Sequence, residues 1–240
     1  MLTTLAYAVM QGSQVESVSA QGRYWNFQDA NHNPWNSNGN TLAGEARYRD
    51  GPCVYANSAT CEFETRTLRI STGGNILESI TAYGRLFDFV DNAPVTGTGQ
   101  LLSSMPLYAP VCAYASTTQP CHFDARSVTD SQFGLADVVF AYGRMFAFVQ
   151  GGLSNTGGTL LDSFSPYSAA CVGVPSGTCT IDSYEVTTLV GHTGTQEVFT
   201  AYGKLYIYDR DAMLNATALS GYPVDLRSVP RFRDGPCMGQ

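Results

Sequence analysis

The chain has 240 residues and a formal net charge of −7, with 44% hydrophobic and only 14% charged residues. The hydrophobic share can bury a real core, while the charged share lies well below the ordinary globular level of about 25%. No Lys/Arg-rich run is present to meet phosphates, which argues against nucleic acid or an anionic membrane surface as partner, and no apolar run of about 18 residues offers membrane insertion by a helix.

Residues 1–10 are mildly apolar but lack the basic start and long apolar run of a signal peptide. The segment MLTTL at 1–5 instead matches a strand that recurs further on. Next comes a 13-residue motif, VESVSAQGRYWNF at 15–27, which returns as LESITAYGRLFDF at 77–89, ADVVFAYGRMFAF at 136–148 and QEVFTAYGKLYIY at 196–208. Its glycine falls at Gly22, Gly84, Gly143 and Gly203, so successive copies are 62, 59 and 60 residues apart. Each copy reads as a β-hairpin whose glycine supplies the positive φ of a tight turn. That turn sets the fourth motif position opposite the eleventh and the second opposite the thirteenth. One face then carries an acid, an aliphatic or Phe, a constant Ala, Arg or Lys, and two aromatics. This repeated face is expected to pack between neighbouring units.

After each hairpin and a Gly-rich loop comes a third element: TLAGEARYRDGPC, LLSSMPLYAPVC, LLDSFSPYSAAC or LRSVPRFRDGPC. Before each of the later hairpins stands CEFETRTLRI, CHFDARSVT or CTIDSYEVTTL. About four short strands per unit is the content of one propeller blade. The expected fold is therefore all-β: one domain over 1–240, a four-bladed β-propeller with about 60 residues per blade. Its units run roughly 1–53, 54–112, 113–171 and 172–237, and it is closed by the N-terminal strand, taken to complete the last blade. Closure removes exposed sheet edges. The fourfold period argues against a β-sandwich.

Glu16-Ser17-Val18 and Glu78-Ser79-Ile80, followed by Gly-Arg-x-aromatic-x-Phe at 22–27 and 84–89, resemble the hemopexin-like four-bladed propeller. The resemblance covers about 13 residues per unit and implies the architecture. The chain departs from that pattern in its recurring cysteines and in lacking a Trp-rich outer strand.

The segment 28–40, QDANHNPWNSNGN, repeats least. Trp35 with Asp29, Asn31 and Asn33 offers a stacking ring and hydrogen-bonding groups for a sugar, against the alternative of a solvated polar loop. The alternate Asp29, Asn31, Asn33 spacing is not an EF-hand, because Pro34 stands where that loop needs Gly and Asn40 where it needs Glu.

Cysteines recur as Cys53 with Cys61, Cys112 with Cys121 and Cys171 with Cys179. This spacing suits disulfides closing small loops at a blade edge better than zinc, and implies a secreted or cell-surface protein. Cys237 repeats the Arg-Asp-Gly-Pro-Cys context of Cys53. Its partner is expected just past Gln240 or just before Met1 in a trimmed chain, or on a second copy in a dimer. Asn215-Ala216-Thr217 is an N-glycosylation sequon.

Glu16, Glu78, Asp137 and Glu197 share one motif position. They could form a carboxylate ring around a central channel, holding a hard cation such as Ca2+; they could equally pair with Arg or accept backbone N–H groups between blades. No other cofactor is expected. Arg23, Arg85, Arg144 and Lys204 form a matching basic set, either capping a blade end by ion pairing or binding an anion. Tyr83, Tyr142 and Tyr202 sit in the turns, with Gln21 in the first copy, placed to stack on sugar faces or to pack against a neighbouring blade. His32, His122 and His192 fall at non-equivalent positions, and no nucleophile elbow, zinc helix motif or P-loop is present.

The expected function is a non-catalytic extracellular binding module, lectin-like or an adhesion or matrix protein. Its partner would be carbohydrate or an extracellular protein. The alternatives are a carrier of a small ligand or cation in the channel, and a glycoside-active enzyme with two carboxylates roughly 5–10 Å apart on one cleft.

Overall fold

Each hairpin turns on two residues with positive φ: Gln21 (52°) and Gly22 (72°), Tyr83 (54°) and Gly84 (74°), Tyr142 (53°) and Gly143 (70°), Tyr202 (52°) and Gly203 (74°). Two successive left-handed residues make a type I′ turn, whose twist matches that of the flanking strands. In the first three turns, though not at Gly203, space also favours glycine at the second position. A Cβ at Gly22 would fall 2.7 Å from Thr60, and one at Gly84 2.8 Å from Pro120.

A computed structural model of the chain describes residues 6–9, 15–28, 33–34, 39–56, 60–131, 134–187, 194–210, 218, 220–234 and 236–237. Four antiparallel sheets form in chain order. The first holds β1 (Ala6–Val9), β2 (Val15–Ala20), β3 (Arg23–Gln28), β4 (Asn33–Pro34) and β5 (Asn40–Thr41). The second holds β6 (Thr65–Ile70), β7 (Ile76–Ala82), β8 (Arg85–Val90), β9 (Ala93–Pro94) and β10 (Gln100–Leu101). The third holds β11 (Ala125–Ser131), β12 (Gly134–Ala141), β13 (Arg144–Val149), β14 (Gly152–Leu153) and β15 (Thr159–Leu160). The fourth holds β16 (Ser183–Thr187), β17 (Gln196–Ala201), β18 (Lys204–Asp209) and β19 (Val224–Asp225). In register, Val18 lies opposite Trp25 and Glu16 opposite Phe27, as the motif requires. Ile80 with Phe87, Val139 with Phe146 and Phe199 with Tyr206 repeat the pairing.

The repeated face does pack between blades. Ile80, Ala82, Phe87 and Phe89 of the second blade bury against Tyr24, Leu42 and Tyr48 from the first. Val139, Ala141, Phe146 and Phe148 of the third meet Leu86, Leu102, Tyr108 and Val111 of the second. Strands β1, β6, β11 and β16 line the axis, each adjoining the next, with β16 returning to β1. The result is a closed four-bladed β-propeller. The N-terminal strand closes the ring differently from the expectation that it would complete the last sheet. It hydrogen-bonds to β2 in its own sheet and meets β16 by contact.

The third element is not a strand beyond its first residue, and in the last copy the strand ends before it begins. It becomes 3-10 and α turns: α1 (Ala46–Arg49), α2 (Ala109–Cys112), 3-10 turns at Leu161–Ser163 and Tyr167–Ala169, and α3 (Pro230–Arg233). Proline fixes the helical φ at several of these starts. The turns bring Tyr48, Tyr108, Tyr167 and Phe232 inward as wholly buried plugs between successive blades. Tyr48 meets Phe63 edge-on at 5.0 Å and Phe89 at 6.1 Å, and Tyr108 meets Phe123 at 5.0 Å and Phe148 at 5.7 Å. Each such aromatic pair adds about 0.5–1.5 kcal/mol beyond area burial. Phe232 performs the same closure between the first and last blades, among Val18, Trp25, Phe27 and Ile207.

Candidate ligand-binding surface

The four repeated acids are built into the seams. Tyr48 donates to Glu78 Oε1 at 2.6 Å, as does Arg66 Nε at 2.6 Å, and Arg47 Nε lies 3.2 Å from Oε2. Asp137 receives Tyr108 at 2.7 Å and Arg126 at 3.0 and 3.1 Å. Glu16 faces Arg231 at 3.0 Å. Glu197 receives Tyr167 at 2.8 Å, and Tyr184 stands where Arg66 and Arg126 stand in the other units. The electrostatics follow. Burial opposes ionisation of Glu78, yet Arg66 and Arg47 pull its carboxyl below the usual range. Glu197, with only Arg210 at 3.9 Å, is raised by burial. Among the described residues no three His, Cys, Asp or Glu gather as a ready metal site.

The basic set holds loops. Arg23 donates to the Gly39 carbonyl at 3.1 Å, Arg85 to Thr98 and Gly99 at 3.1 and 3.2 Å, and Arg144 to Gly157 and Gly158 at 3.1 and 3.2 Å. Arg85 also stacks on Tyr55 at 4.5 Å and Arg144 on Tyr114 at 4.8 Å. These contacts tie each of the first three blades to its own Gly-rich loop through backbone carbonyls. Lys204 is exposed. The turn tyrosines are anchored too: the hydroxyls of Tyr83, Tyr142 and Tyr202 accept the N–H of Glu62, His122 and Thr180 at 3.0, 3.1 and 3.0 Å. Their rings lie on the surface of the turn end, with Tyr202 the most open at 38%.

Glu64, Asp124 and Asp182 were missed by the motif reading. They stand one residue ahead of β6, β11 and β16, hence at the turn end of the channel. Each lies three residues after the second cysteine of a pair, Cys61, Cys121 or Cys179, and that Cys-x-x-acid spacing was legible. Burial pushes Glu64 up to about 7, although backbone N–H groups of Phe123, Gly84 and Tyr83 and the nearby His122 lower it. Burial pushes Asp182 up to about 7 as well, with Asp124 adding repulsion. His122 Nε2 lies 3.5 Å from Asp124, and this hydrogen-bonded partner raises the imidazole. On β16, burial also raises the carboxyl of Glu185.

A carboxyl whose folded pKa exceeds its unfolded value stabilises the fold while protonated. For Glu64 and Asp182 that stability is complete below about pH 4 and is lost as pH rises through about 7. Their share of the melting temperature is therefore expected to fall between pH 4.5 and 7.5. Thermal melts across that range are expected to flatten in a Glu64→Gln/Asp182→Asn variant; an unchanged slope would contradict this assignment.

The expected disulfides are present: Cys53–Cys61, Cys112–Cys121 and Cys171–Cys179. They close the connections that lead from one blade into the next, and not loops within a blade. Cys237 is buried, and that burial raises its thiol pKa. Asp29, Asn31, Trp35, His32, His192 and Asn215 lie outside the described residues, as does the side chain of Asn33.

The seams, plugs and ring closure define a four-bladed propeller of the hemopexin fold. Among solved structures the chain is similar to a plant albumin from Cicer arietinum showing hemagglutination (TM-score 0.60, 11% identity, 95% of this chain and 96% of that one). It is also similar to the hemopexin fold protein CP4 from cow pea (TM-score 0.56, 12% identity, 93% of each chain), and to a plant lectin with two metal binding sites from Cicer arietinum (TM-score 0.55, 11% identity, 93% of each chain). At these identities the likeness is one of fold. No protein-family model and no curated protein matches the sequence. Among the described residues no helix is long and apolar enough to cross a membrane.

Proposed function

We propose that this chain is a secreted or cell-surface, non-catalytic binding module of lectin-like type. The observation that carries the reading is where the repeated charges go. The acids at motif position two are engaged across the seams by Tyr48, Tyr108, Tyr167 and Arg231 of the neighbouring blade, and within their own sheets by Arg66 and Arg126. Such seams build a scaffold and leave ligand contact to the polar and aromatic turn end and to the variable loops. A glycoside-active enzyme would need two carboxylates sharing one cleft, whereas these acids face guanidinium and phenol groups. The disulfides support an oxidising compartment, and two similarly folded plant proteins, one showing hemagglutination and one a lectin, support carbohydrate as the partner class. A glycan array probed with the labelled, oxidised protein tests this: selective hits are expected, and a blank array would overturn the lectin-like reading.

A second reading, a cation carried in the channel, draws on Asp182 and Asp124, which lie near enough to repel one another at its turn end. Hard cations take oxygen ligands, and one would relieve the burial and repulsion that raise Asp182. Calcium is then expected to raise the melting temperature, most at neutral pH and above, where Asp182 ionises. A melting temperature indifferent to millimolar calcium would end this reading.

A further inference from the structure

The seams at the turn end are not alike. Between the second and third blades the positions facing one another are Tyr83, Leu101 and Pro120; Leu101 pairs with Arg85, and Gly84 abuts Pro120. Between the first and second blades the corresponding residues are Gln21, Thr41 and Thr60; Thr41 pairs with Arg23, and Gly22 abuts Thr60. Two rings and an isobutyl group are thus replaced by an amide and two hydroxyls. At this seam lies a cleft of about 400 Å³, lined by Gln21, Arg23, Thr41 and Thr60 on its polar side and by Ala43 and Cys61 on its apolar side. That volume falls within the roughly 300–1,000 Å³ of small-molecule sites.

The lining selects by chemistry. Gln21 offers an acceptor and two donors, the threonines offer hydroxyls, and Arg23 offers a guanidinium fork held in place by the Gly39 carbonyl at 3.1 Å. Among the described residues no carboxylate lines the cleft to hold a metal, and no aromatic plate lines it to stack a base. Amide, hydroxyl and guanidinium groups beside small apolar patches match a sugar ring, with its alternating hydroxyls and C–H faces. We propose that this cleft binds a single pyranose unit of a glycan, an inference that rests on the lectin-like reading. It also explains why the first unit alone has Gln in its turn: a tyrosine there would carry a bulky ring into the mouth of the cleft.

The test fills the cleft with residues the fold already uses one seam along. Gln21 has φ 52° and Tyr83 φ 54°, so a Gln21→Tyr/Thr41→Leu variant keeps the turn. Saturation-transfer NMR with galactose, mannose and N-acetylglucosamine is run on the wild type and this variant, alongside the glycan array, with melting temperatures as the folding control. Gln21→Ala, which removes the amide without adding bulk, serves if the double variant fails to fold. The wild type is expected to bind at least one of these sugars, with tenfold or greater loss in the filled variant and a severalfold loss in Gln21→Ala. Wild-type binding that survives in the folded variants would overturn the cleft assignment and leave the lectin-like reading intact. An array with hits but no response to these monosaccharides would likewise overturn the cleft alone. A blank array together with silent NMR would overturn both.

Discussion

Replacing Arg66 by alanine is expected to cost about 3–5 kcal/mol of folding stability, the range found when one partner of a buried ion pair is removed. Glu78 is only 3% exposed and would lose its closest guanidinium. Arg66 also donates to Tyr48 at 3.1 Å and, across the seam, to Ser17, so its loss loosens the first blade from the second. Arg47, 3.2 Å from Glu78, keeps the carboxylate from being wholly orphaned and places the expectation toward the lower end. The protein contains its own control. At the third seam Tyr184 occupies the equivalent position, and Glu197 is held by two phenols. Arg66→Tyr is therefore expected to be milder than Arg66→Ala, and Arg66→Met/Glu78→Met milder than either half alone. Denaturant midpoints for these variants decide the matter. A loss below about 1 kcal/mol in Arg66→Ala would mean that the pair does not hold the seam.

Reduction of all three disulfides is expected to bring the fold to the edge of stability. The cystines are separated by 8, 9 and 8 residues. Closing such loops in the unfolded chain contributes about 2.5 kcal/mol each on the chain-entropy account. Together that is about 7 kcal/mol, against a typical total of about 5–15 kcal/mol for a domain. Melting with and without reductant is expected to differ by well over ten degrees, and intact mass after alkylation of the unfolded, unreduced protein should show one labelled thiol, Cys237. A small shift in melting temperature would mean that the blade seams alone hold the ring.

The hairpins were legible because two constraints coincide in 13 residues: a turn that only positive φ can make, and a face that must alternate. Register followed once the turn was placed, down to Glu16 opposite Phe27. The cysteine pairs were legible from their recurrence. The third element was not, because Leu42, Gly44, Ala46 and Tyr48 alternate with the polar Glu45, Arg47 and Arg49 as a strand would. What decides for a helical turn is the cavity between two blades that Tyr48 fills, a tertiary demand absent from any local window. The basic set was placed at the correct blade end but given the wrong kind of partner. Arg85 and Arg144 serve backbone carbonyls, and carbonyls have no signature in a sequence. Glu64, Asp124 and Asp182 were overlooked because they lie outside the hairpin motif. The place of the turn tyrosines in the hairpins was legible, while the cleft beneath Gln21 emerges only when neighbouring seams are compared in space.

Among the described residues every sheet of this ring is made from its own stretch of chain, since β1 pairs with β2 and no strand is lent to another blade. The blades are therefore joined by side-chain packing and by three cystine-closed connections, with no hydrogen-bonded ladder running across a seam. In mechanical terms the ring is a set of staves and not a woven band. Force applied to its two ends should open a seam before it unzips any sheet, releasing blades one at a time. By the same logic, a chain nicked within 113–120 loses no strand pairing, and the Cys112–Cys121 bond still holds the two pieces together.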